Sequence, residues 1–239
     1  MSENQSDTLQ QQDENVVEAT QGSGNASNWL QGNLMYIVGG VIAIVLVIFG
    51  IKWYSSNMEE KEQVASLALS RVKTYYDAGE WQKALDGDPN KKVRNETIIG
   101  LKSIVDEYES TSAGKSAALY AGNAFVMLKK MDEAEKYFEI ASKADSKIVV
   151  VGAKSGLAGC LESKKNYKEA ADIYEKLLEM ADEVGGKDRY ELYAGLCYEK
   201  LGDKVNSEKM YRNLLAEFEN SEYAGEAKSG LVRLGMVVE

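Results

Sequence analysis

The side chains that could do chemistry in this chain are few and widely spaced. Its 239 residues include no histidine, which removes the commonest general base, metal ligand and pH switch of proteins. Two cysteines, Cys160 and Cys197, lie 37 residues apart. A disulfide between them is disfavoured, because stacked helices lie about 8–10 Å apart while bridged Cα atoms need less than about 7 Å. A metal site of two thiols without histidine is less favoured still, so both are predicted to be small, buried, apolar side chains.

A second group with chemical potential is acidic. Asp182, Glu183 and Asp188 flank the Gly185-Gly186 pair and could suggest a cation site. Their spacing is not that of a calcium loop, so a polar turn is the preferred interpretation. The sequence also lacks a P-loop, a dinucleotide fingerprint and a nucleophile elbow. We therefore expect no catalytic site, no cofactor, no metal and no small-molecule substrate, and an enzyme is the least favoured function class.

The charges separate the first 51 residues from the rest. That stretch holds five acidic residues and no Lys or Arg, so all 28 basic residues lie from Lys52 onward, beside 33 acidic ones. Nucleic-acid binding needs clustered Lys and Arg that displace counterions from phosphates. The charge balance therefore argues against a nucleic-acid partner.

The chain begins with a polar segment and continues with an apolar one. Residues 1–28 are rich in Ser, Gln, Asn, Asp and Glu, and they are predicted to form a disordered tail because they cannot bury enough surface to offset the entropy of ordering. Residues 29–54 are predicted to be a transmembrane helix, since Leu34–Ile51 is an almost unbroken apolar run near the minimum length for a span. Aromatic residues that suit the two membrane interfaces flank this run: Trp29, Tyr36, Trp53 and Tyr54.

A cleaved signal peptide is the competing interpretation of the apolar run. It is disfavoured because the segment has no basic region before it, is too long, and shows no small-residue cleavage site before Trp53. The nearest basic residues, Lys52 and Lys61, follow the span, and the positive-inside rule would place the large domain in the cytoplasm. Two lysines are a weak bias, so the orientation stays open at this point. Gly39 and Ala43 form a small-xxx-small pair that could contact another helix or face lipid.

After the span the chain reads as helices in pairs, with internal repetition. Leu119–Gly122 returns as Leu192–Gly195, and Ala153–Leu157 returns as Ala227–Leu231. The offsets of 73 and 74 residues are twice the period expected for stacked helix-turn-helix repeats. Such repeats share one continuous core, because a single unit cannot bury its own apolar face. The predicted segments are a juxtamembrane helix with a degenerate first repeat (55–113), three repeats (114–223) and a capping helix (224–239).

Within the first repeat, the stretch between Ala84 and Thr97 is predicted to be an insertion, followed by a helix from about Asn95 to Tyr108. The remaining predicted helices are 115–130, 131–144, 148–163, 167–184, 188–201, 204–218 and 224–237.

The three better repeats align on a small residue of each second helix. The aligned sets, in chain order, are Ala134, Ala170 and Ser207; Gly122, Ala158 and Gly195, twelve residues earlier; Phe125, Leu161 and Tyr198, nine residues earlier; and Phe138, Tyr174 and Tyr211, four residues later. This pattern of small, large and aromatic positions resembles the tetratricopeptide repeat, with units slightly longer than usual. The fold implied is all-α: a single transmembrane helix followed by a tetratricopeptide-repeat helical solenoid.

The whole arrangement resembles a narrower family, the ancillary subunit of the bacterial Sec translocon (the YfgM-like family). The resemblance lies in the order of tail, span and repeat domain, together with the pattern from Glu217-Phe218 to Ala224-Gly225 that envelope proteins with such repeats share. It implies a single-pass protein of the bacterial inner membrane with its repeat domain in the periplasm, where relatives work with a membrane-anchored periplasmic chaperone. This implied orientation conflicts with the lysine bias.

In tetratricopeptide folds the first helix of each repeat lines a binding groove. The resemblance places nine residues there: Asn123, Val126, Met127, Gly159, Glu162, Arg189, Leu192, Leu196 and Glu199. This mixed, fairly apolar set would suit an extended apolar segment or an amphipathic helix. The basic clamp that some relatives use for chaperone tails is not expected, because Leu119, Gly156 and Tyr193 occupy three of its positions.

These observations favour a membrane-anchored adaptor that binds proteins. The preferred role is an accessory or chaperone-like factor at the Sec translocon, with the translocon, a membrane-anchored periplasmic chaperone or exported chains as partners. The alternative is a scaffold for cell-envelope assembly or cell division, of the outer-membrane-assembly or division-coordinator type.

Overall fold

The computed structural model describes the backbone of residues 4–93 and 95–237, with side chains from Asn33 onward except that of Ile37. The chain divides into two compact units, Met1–Asn57 and Met58–Glu239. The elements in chain order are α1 (Asn4–Asp77), α2 (Trp81–Asp86), β1 (Gly87–Val93), β2 (Glu96–Ile99), α3 (Leu101–Tyr108), α4 (Ser112–Met127), α5 (Met131–Ala141), α6 (Lys147–Ser163), α7 (Tyr167–Val184), α8 (Lys187–Leu201), α9 (Lys204–Glu217) and α10 (Ala224–Leu234).

The first unit consists of the N-terminal part of α1. The large apolar side chains described between Leu34 and Ile51, Ile37 not among them, are 47% to 88% exposed, and α1 is long and apolar enough to cross a membrane. The disordered tail over residues 1–28 stays a prediction. The backbone is helical from Asn4, and residues 1–3 and the side chains of 4–32 lie outside the described part.

The second unit stacks helices in antiparallel pairs. First helices α4, α6 and α8 are each followed by a second helix, α5, α7 and α9, and α10 covers the last pair. The bounds agree with the predicted helices to within a few residues. The small residues Ala134, Ala170 and Ser207 are buried at the crossings within the three pairs, as the alignment predicts.

The hairpin of β1 and β2 interrupts the second helix of the first repeat. Ala84 and Ala134 lie 50 residues apart, and this spacing becomes 37, the spacing from Ala170 to Ser207, when residues 87–99 are left out. The two ends of the hairpin lie close together, since a Cβ on Gly100 would be 2.5 Å from the backbone nitrogen of Gly87. The helix therefore continues after the hairpin near the place where it stopped. The first repeat is therefore complete, with α2 and α3 as the two parts of its second helix.

This hairpin corrects part of the sequence prediction. A helix was expected from about Asn95 to Tyr108, but the structure has a strand from Glu96 to Ile99 and a helix only from Leu101. The apolar pair Ile98-Ile99 fits either periodicity, and pairing with β1 decides in favour of the strand.

One turn recurs in all four repeats and supports their equivalence. One or two positions after each first helix, a residue has a positive φ between 60° and 75°: Gly79, Lys129, Lys165 and Gly202. The following N–H donates to a carbonyl five residues earlier, at 2.9 to 3.0 Å, in every case. Such a left-handed residue ends the helix by satisfying one of its free carbonyls.

From the second repeat onward, neighbouring units meet at two kinds of joint. At two of them, an aromatic ring of a second helix fits between two glycines: Phe138 between Gly122 and Gly156, and Tyr211 between Gly195 and Gly230. A Cβ on any of these glycines would lie only 2.4 to 2.6 Å from the ring. We call these the glycine joints.

The joint between them is different. Tyr174 packs beside Tyr193, with ring centroids 5.4 Å apart, where the other joints have Gly156 and Gly230. We call this the tyrosine joint. The first helices pack directly against each other at the glycine joints, α4 on α6 and α8 on α10, whereas α6 and α8 hardly touch across the tyrosine joint. The Tyr193 side chain, at a position where the glycine joints have no side chain, therefore separates α6 from α8.

Candidate functional site

The predicted groove residues lie along α4, α6 and α8, and we call their shared surface the first-helix face. Its members are Asn123, Val126, Met127, Gly159, Glu162, Arg189, Leu192, Leu196 and Glu199. Met127 is 57% exposed, Val126 and Leu196 are half-buried, and a Cβ on Gly159 would meet no atom within 4 Å. These four positions leave apolar surface and open space on the face.

Other predicted members are engaged within the domain. Asn123 is a hydrogen-bond partner of the Tyr76 hydroxyl. Arg189 is half-buried, and its Nη2 donates to the Tyr190 hydroxyl at 3.0 Å. Leu192 is 4% exposed and belongs to the core between α8 and α10, so its side chain supports packing instead of an open surface.

Glu162 and Glu199 occupy equivalent positions and do equivalent work. The Tyr174 hydroxyl donates to Glu162 at 2.6 Å, and the Tyr211 hydroxyl donates to Glu199 at 2.7 Å. Glu199 also accepts two bonds from Arg233 on α10, at 2.7 and 3.0 Å. This guanidinium, together with the Tyr211 hydroxyl, holds the pKa of the Glu199 carboxyl below its usual range. Each carboxylate thus satisfies a buried phenol.

The corresponding pair in the second repeat is apolar. Phe138 stands where the other repeats have tyrosine, and Val126 stands where they have glutamate. A phenyl ring has no hydroxyl to satisfy, so it needs no carboxylate opposite it. A glutamate therefore occupies this groove position where the ring at the joint is tyrosine, and a valine occupies it where the ring is phenylalanine.

Burial explains the state of the thiols. Cys160 and Cys197 are free and fully buried, as the sequence predicts. Burial raises the pKa of the Cys160 thiol to about 11 and that of Cys197 to about 12. Cys197 is also a hydrogen-bond partner of Glu162, and burial raises the pKa of that carboxyl. At neutral pH both thiols are protonated and poor nucleophiles.

The acidic turn is occupied by ordinary contacts. Glu183 pairs with Lys147, and Asp188 accepts hydrogen bonds from the Ser221 hydroxyl at 2.6 Å and the Arg189 backbone N–H at 2.8 Å. Within residues 33–93 and 95–237, no group of three or more Cys, Asp and Glu side chains has a geometry that could hold a metal ion.

One unusual charge was not foreseen from the sequence. Glu191 is 1% exposed, and its Oε2 has no hydrogen-bond partner among the described residues. Burial, with the nearby Glu217 carboxylate, raises the pKa of Glu191 to about 7, and Lys187 opposes this shift. The equivalent positions hold Ala118 and Lys154, so comparison of the repeats marks the position as unusual without revealing that it is buried.

A cleft of about 470 Å³ lies between the α1 helix, the hairpin and α3, and none of its lining residues belongs to the first-helix face. We call it the hairpin cleft. Its lining residues are Val64, Leu67, Ala68 and Arg71 of α1; Lys92, Asn95, Glu96, Thr97 and Ile99 of the hairpin; and Glu107 and Tyr108 of α3. The cleft could not be predicted from the sequence, because the hairpin that forms one wall was not predicted.

Comparison with known proteins identifies the domain. The family model of the tetratricopeptide repeat-like domain matches residues 27–228, more than four fifths of the chain, and the chain belongs to this family. The chain matches none of the curated proteins with which it was compared. Repeat domains of this type present extended surfaces to other proteins, so the second unit is a protein-interaction module.

Proposed function

As a member of the tetratricopeptide repeat-like family, the chain carries a protein-interaction module, and we propose that it is a membrane-anchored adaptor at the bacterial Sec translocon. In this proposal α1 is a single-pass anchor in the inner membrane, and the repeat domain lies in the periplasm. There it holds exported chains or tethers a membrane-anchored chaperone beside the translocon. The order of span and repeat domain supports this role through its resemblance to the translocon's ancillary subunit.

The observation that carries the anchor is the exposure of α1. Side chains such as Met35, Val45 and Phe49 are 57% to 88% exposed, and no part of the apolar window is buried. An apolar helix without protein contacts is unstable in water and stable in hydrocarbon.

The observation that carries binding is the open part of the first-helix face. Met127 is exposed, Leu196 is half-buried, and Gly159 lies between them with free space above it. Because α6 and α8 hardly touch, an incoming segment could reach Gly159 and Leu196 without displacing a side chain. An extended apolar segment or the apolar side of a helix has the chemistry to cover such a surface.

Orientation is the first test. Spheroplasts that produce the chain with a C-terminal tag are treated with protease, and the tag is detected by blotting. Loss of the tag is expected for a periplasmic repeat domain. A tag that is cleaved only after lysis would place the domain in the cytoplasm, as the bias of Lys52 and Lys61 suggests, and would remove the translocon from the proposal.

Partner capture is the second test. After crosslinking in intact spheroplasts, the tagged protein should recover translocon subunits, a chaperone or exported chains, and Met127→Glu or Leu196→Glu should reduce their yield. Val205→Glu is the matched control, because Val205 is 78% exposed but lies on the second helix α9. Unchanged recovery with both face variants would remove this surface from the proposal. Recovery of outer-membrane or peptidoglycan machinery instead would favour the envelope-scaffold alternative.

A further inference from the structure

The tyrosine joint leaves a carboxylate of the first-helix face without a cation. Glu162 of α6 is half-buried, and its partners among the described side chains are the Tyr174 hydroxyl and the Cys197 thiol. A carboxylate can accept about four hydrogen bonds, so about two remain available after these. Burial raises the pKa of the Glu162 carboxyl, and no Lys or Arg among the described residues opposes this shift. The carboxylate therefore has capacity for a charged donor that the domain does not supply.

The last glycine joint shows the same arrangement with its cation. There Arg233 of α10 donates to both carboxylate oxygens of Glu199, with Nε at 2.7 Å and Nη2 at 3.0 Å. Two bonds from one guanidinium to one carboxylate form a strong and geometrically selective contact. This contact lowers the pKa of the Glu199 carboxyl, in the direction opposite to the shift at Glu162. The tyrosine, the glutamate and an arginine from the next helix thus form a complete set at this joint.

At the tyrosine joint, the position that would supply the arginine is apolar. Arg233 follows Gly230 by three residues, and Leu196 follows Tyr193, the equivalent of Gly230, by the same number. A leucine side chain has no hydrogen-bond donor. Because α6 and α8 also hardly touch, α8 does not carry a cation to Glu162 as α10 carries one to Glu199. An arginine for Glu162 therefore has to come from a partner.

The surface beside Glu162 is open and largely apolar. Gly159 lies one turn earlier on α6 with free space above it, and Met127 and Leu196 leave apolar surface on the neighbouring first helices. An arginine has an aliphatic stem below its guanidinium, so the stem can contact apolar surface while the head binds a carboxylate. An apolar segment that carries one arginine matches both features of this surface.

We propose that the first-helix face selects apolar protein segments that carry an arginine, and that Glu162 binds the guanidinium. In the complex the partner's arginine contacts Glu162 as Arg233 contacts Glu199, and the apolar residues beside it cover Met127 and Leu196. The inference rests on the proposed function, because it needs a partner on this face, and it adds what that partner must contain. Apolar contact supplies area, and the carboxylate discriminates among apolar segments.

The test measures peptide binding by the full-length protein in nanodiscs of neutral phosphatidylcholine. The probe is a fluorescein-labelled peptide of alternating leucine and serine with one central arginine, about nine residues long, which spans about 30 Å when extended. A second peptide has citrulline at the centre, which has the shape of arginine without its charge. Fluorescence polarisation, corrected for empty nanodiscs, should show the citrulline peptide binding about tenfold more weakly.

Glu162→Gln should weaken binding of the arginine peptide by a similar factor and leave the citrulline peptide unchanged. The glutamine keeps an acceptor for the Tyr174 hydroxyl, and melting curves confirm that each variant is folded. Glu179→Gln is the matched control, since it removes the same charge from an exposed position on the second helix α7 and should change neither affinity. Leu67→Glu in the hairpin cleft should also change neither affinity.

The outcomes separate this inference from the function on which it rests. Equal binding of the two peptides by the wild-type protein would overturn the selection of arginine, and the first-helix face would stand as a binding surface if Met127→Glu then weakened both peptides. An arginine preference that survives Glu162→Gln would overturn the role of Glu162. Failure of the wild-type protein to bind either peptide would overturn the inference together with the proposed capture of apolar segments.

Discussion

The glycine joints and the tyrosine joint solve the same packing problem in opposite ways. At a glycine joint, a single ring fills a space that two glycines leave empty, and the first helices of neighbouring repeats pack directly. At the tyrosine joint, Tyr174 and Tyr193 share the space, and α6 and α8 lie apart. The comparison shows that one side-chain position, filled by Gly156, Tyr193 or Gly230, controls how closely repeats approach.

This alternation explains the internal echoes of the sequence. Leu-Tyr-Ala-Gly recurs at 119–122 and 192–195 because both copies place a ring at the controlling position and a glycine two residues later. Ala-Lys-Ser-Gly-Leu recurs at 153–157 and 227–231 because both place a glycine at that position. The repeats therefore match best at twice the structural period. The two glycine joints are alike, and the tyrosine joint between them differs.

Removing the ring at either kind of joint should have the largest effect on stability. We expect Phe138→Ala and Tyr174→Ala each to lower the free energy of unfolding by about 3–5 kcal/mol, because each leaves a buried cavity. Phe138→Ala should lie at the upper end, since its neighbours Gly122 and Gly156 have no side chain to fill the space. Tyr193 can shift toward the cavity at the tyrosine joint. Thermal or urea melting measures both, and a negligible change for either would contradict the repeat alignment.

A methyl group added at a glycine joint should have the next largest effect. Gly156→Ala places a Cβ about 2.4 Å from the Phe138 ring, which cannot move away because Gly122 confines its other side. We expect a loss of about 1–3 kcal/mol from overpacking. Gly159→Ala in the same helix is the matched control, since nothing lies within 4 Å of its Cβ, and it should raise stability by about 0.5–1 kcal/mol through helix propensity. Equal effects of the two variants in urea melts would argue against the close packing at this joint.

Much of this architecture could be predicted from the sequence, and the exceptions have physical causes. The spacing of Ala134, Ala170 and Ser207 identifies the paired helices because small residues are required wherever two helices cross closely. The hairpin was missed because a strand of four residues has too few side chains to show an alternating pattern, and its apolar Ile98-Ile99 pair fits a helix equally well.

The exposure of the first-helix face was predicted less completely. The resemblance to the tetratricopeptide repeat places Leu192 in the groove with Leu196, but α10 covers Leu192 and buries it. Glu162 and Glu199 also lie on that face by position, and their hydroxyl partners on the second helices could be inferred only after the helices are placed in three dimensions. Position along a helix is encoded locally, whereas what covers that position is decided by contacts distant in sequence.

The second repeat pairs Phe138 with Val126, whereas the third and fourth repeats pair a tyrosine with a glutamate. Exchanging these residues tests whether the two positions depend on each other. Phe138→Tyr should place a hydroxyl beside Val126 without an acceptor and lower stability by about 1–2 kcal/mol. Adding Val126→Glu should recover most of this loss by recreating the pair that Tyr174 and Glu162 form. The double-mutant cycle in urea should give a coupling energy of about 1 kcal/mol. Additive effects would show that the Tyr–Glu pairs are not energetically coupled to the choice of ring.

The smallest expected effect concerns Glu191. The equivalent residues of the other repeats, Ala118 and Lys154, are not acidic. Its pKa, raised to about 7, means that the folded domain binds a proton more tightly than the unfolded chain. Stability should therefore fall as the pH rises from about 5 to about 8, and Glu191→Gln should remove part of that fall, on the order of 1 kcal/mol. The window is favourable because the chain has no histidine to titrate within it.

The charges that face Glu191 are unchanged in the variant: Lys187 and Asp188 on α8, Asp182 on α7 and Glu217 on α9. The measurement compares the melting temperatures of the wild-type protein and Glu191→Gln between about pH 5 and about pH 8. Parallel curves would show that Glu191 is ionised in the fold and that Lys187 compensates it.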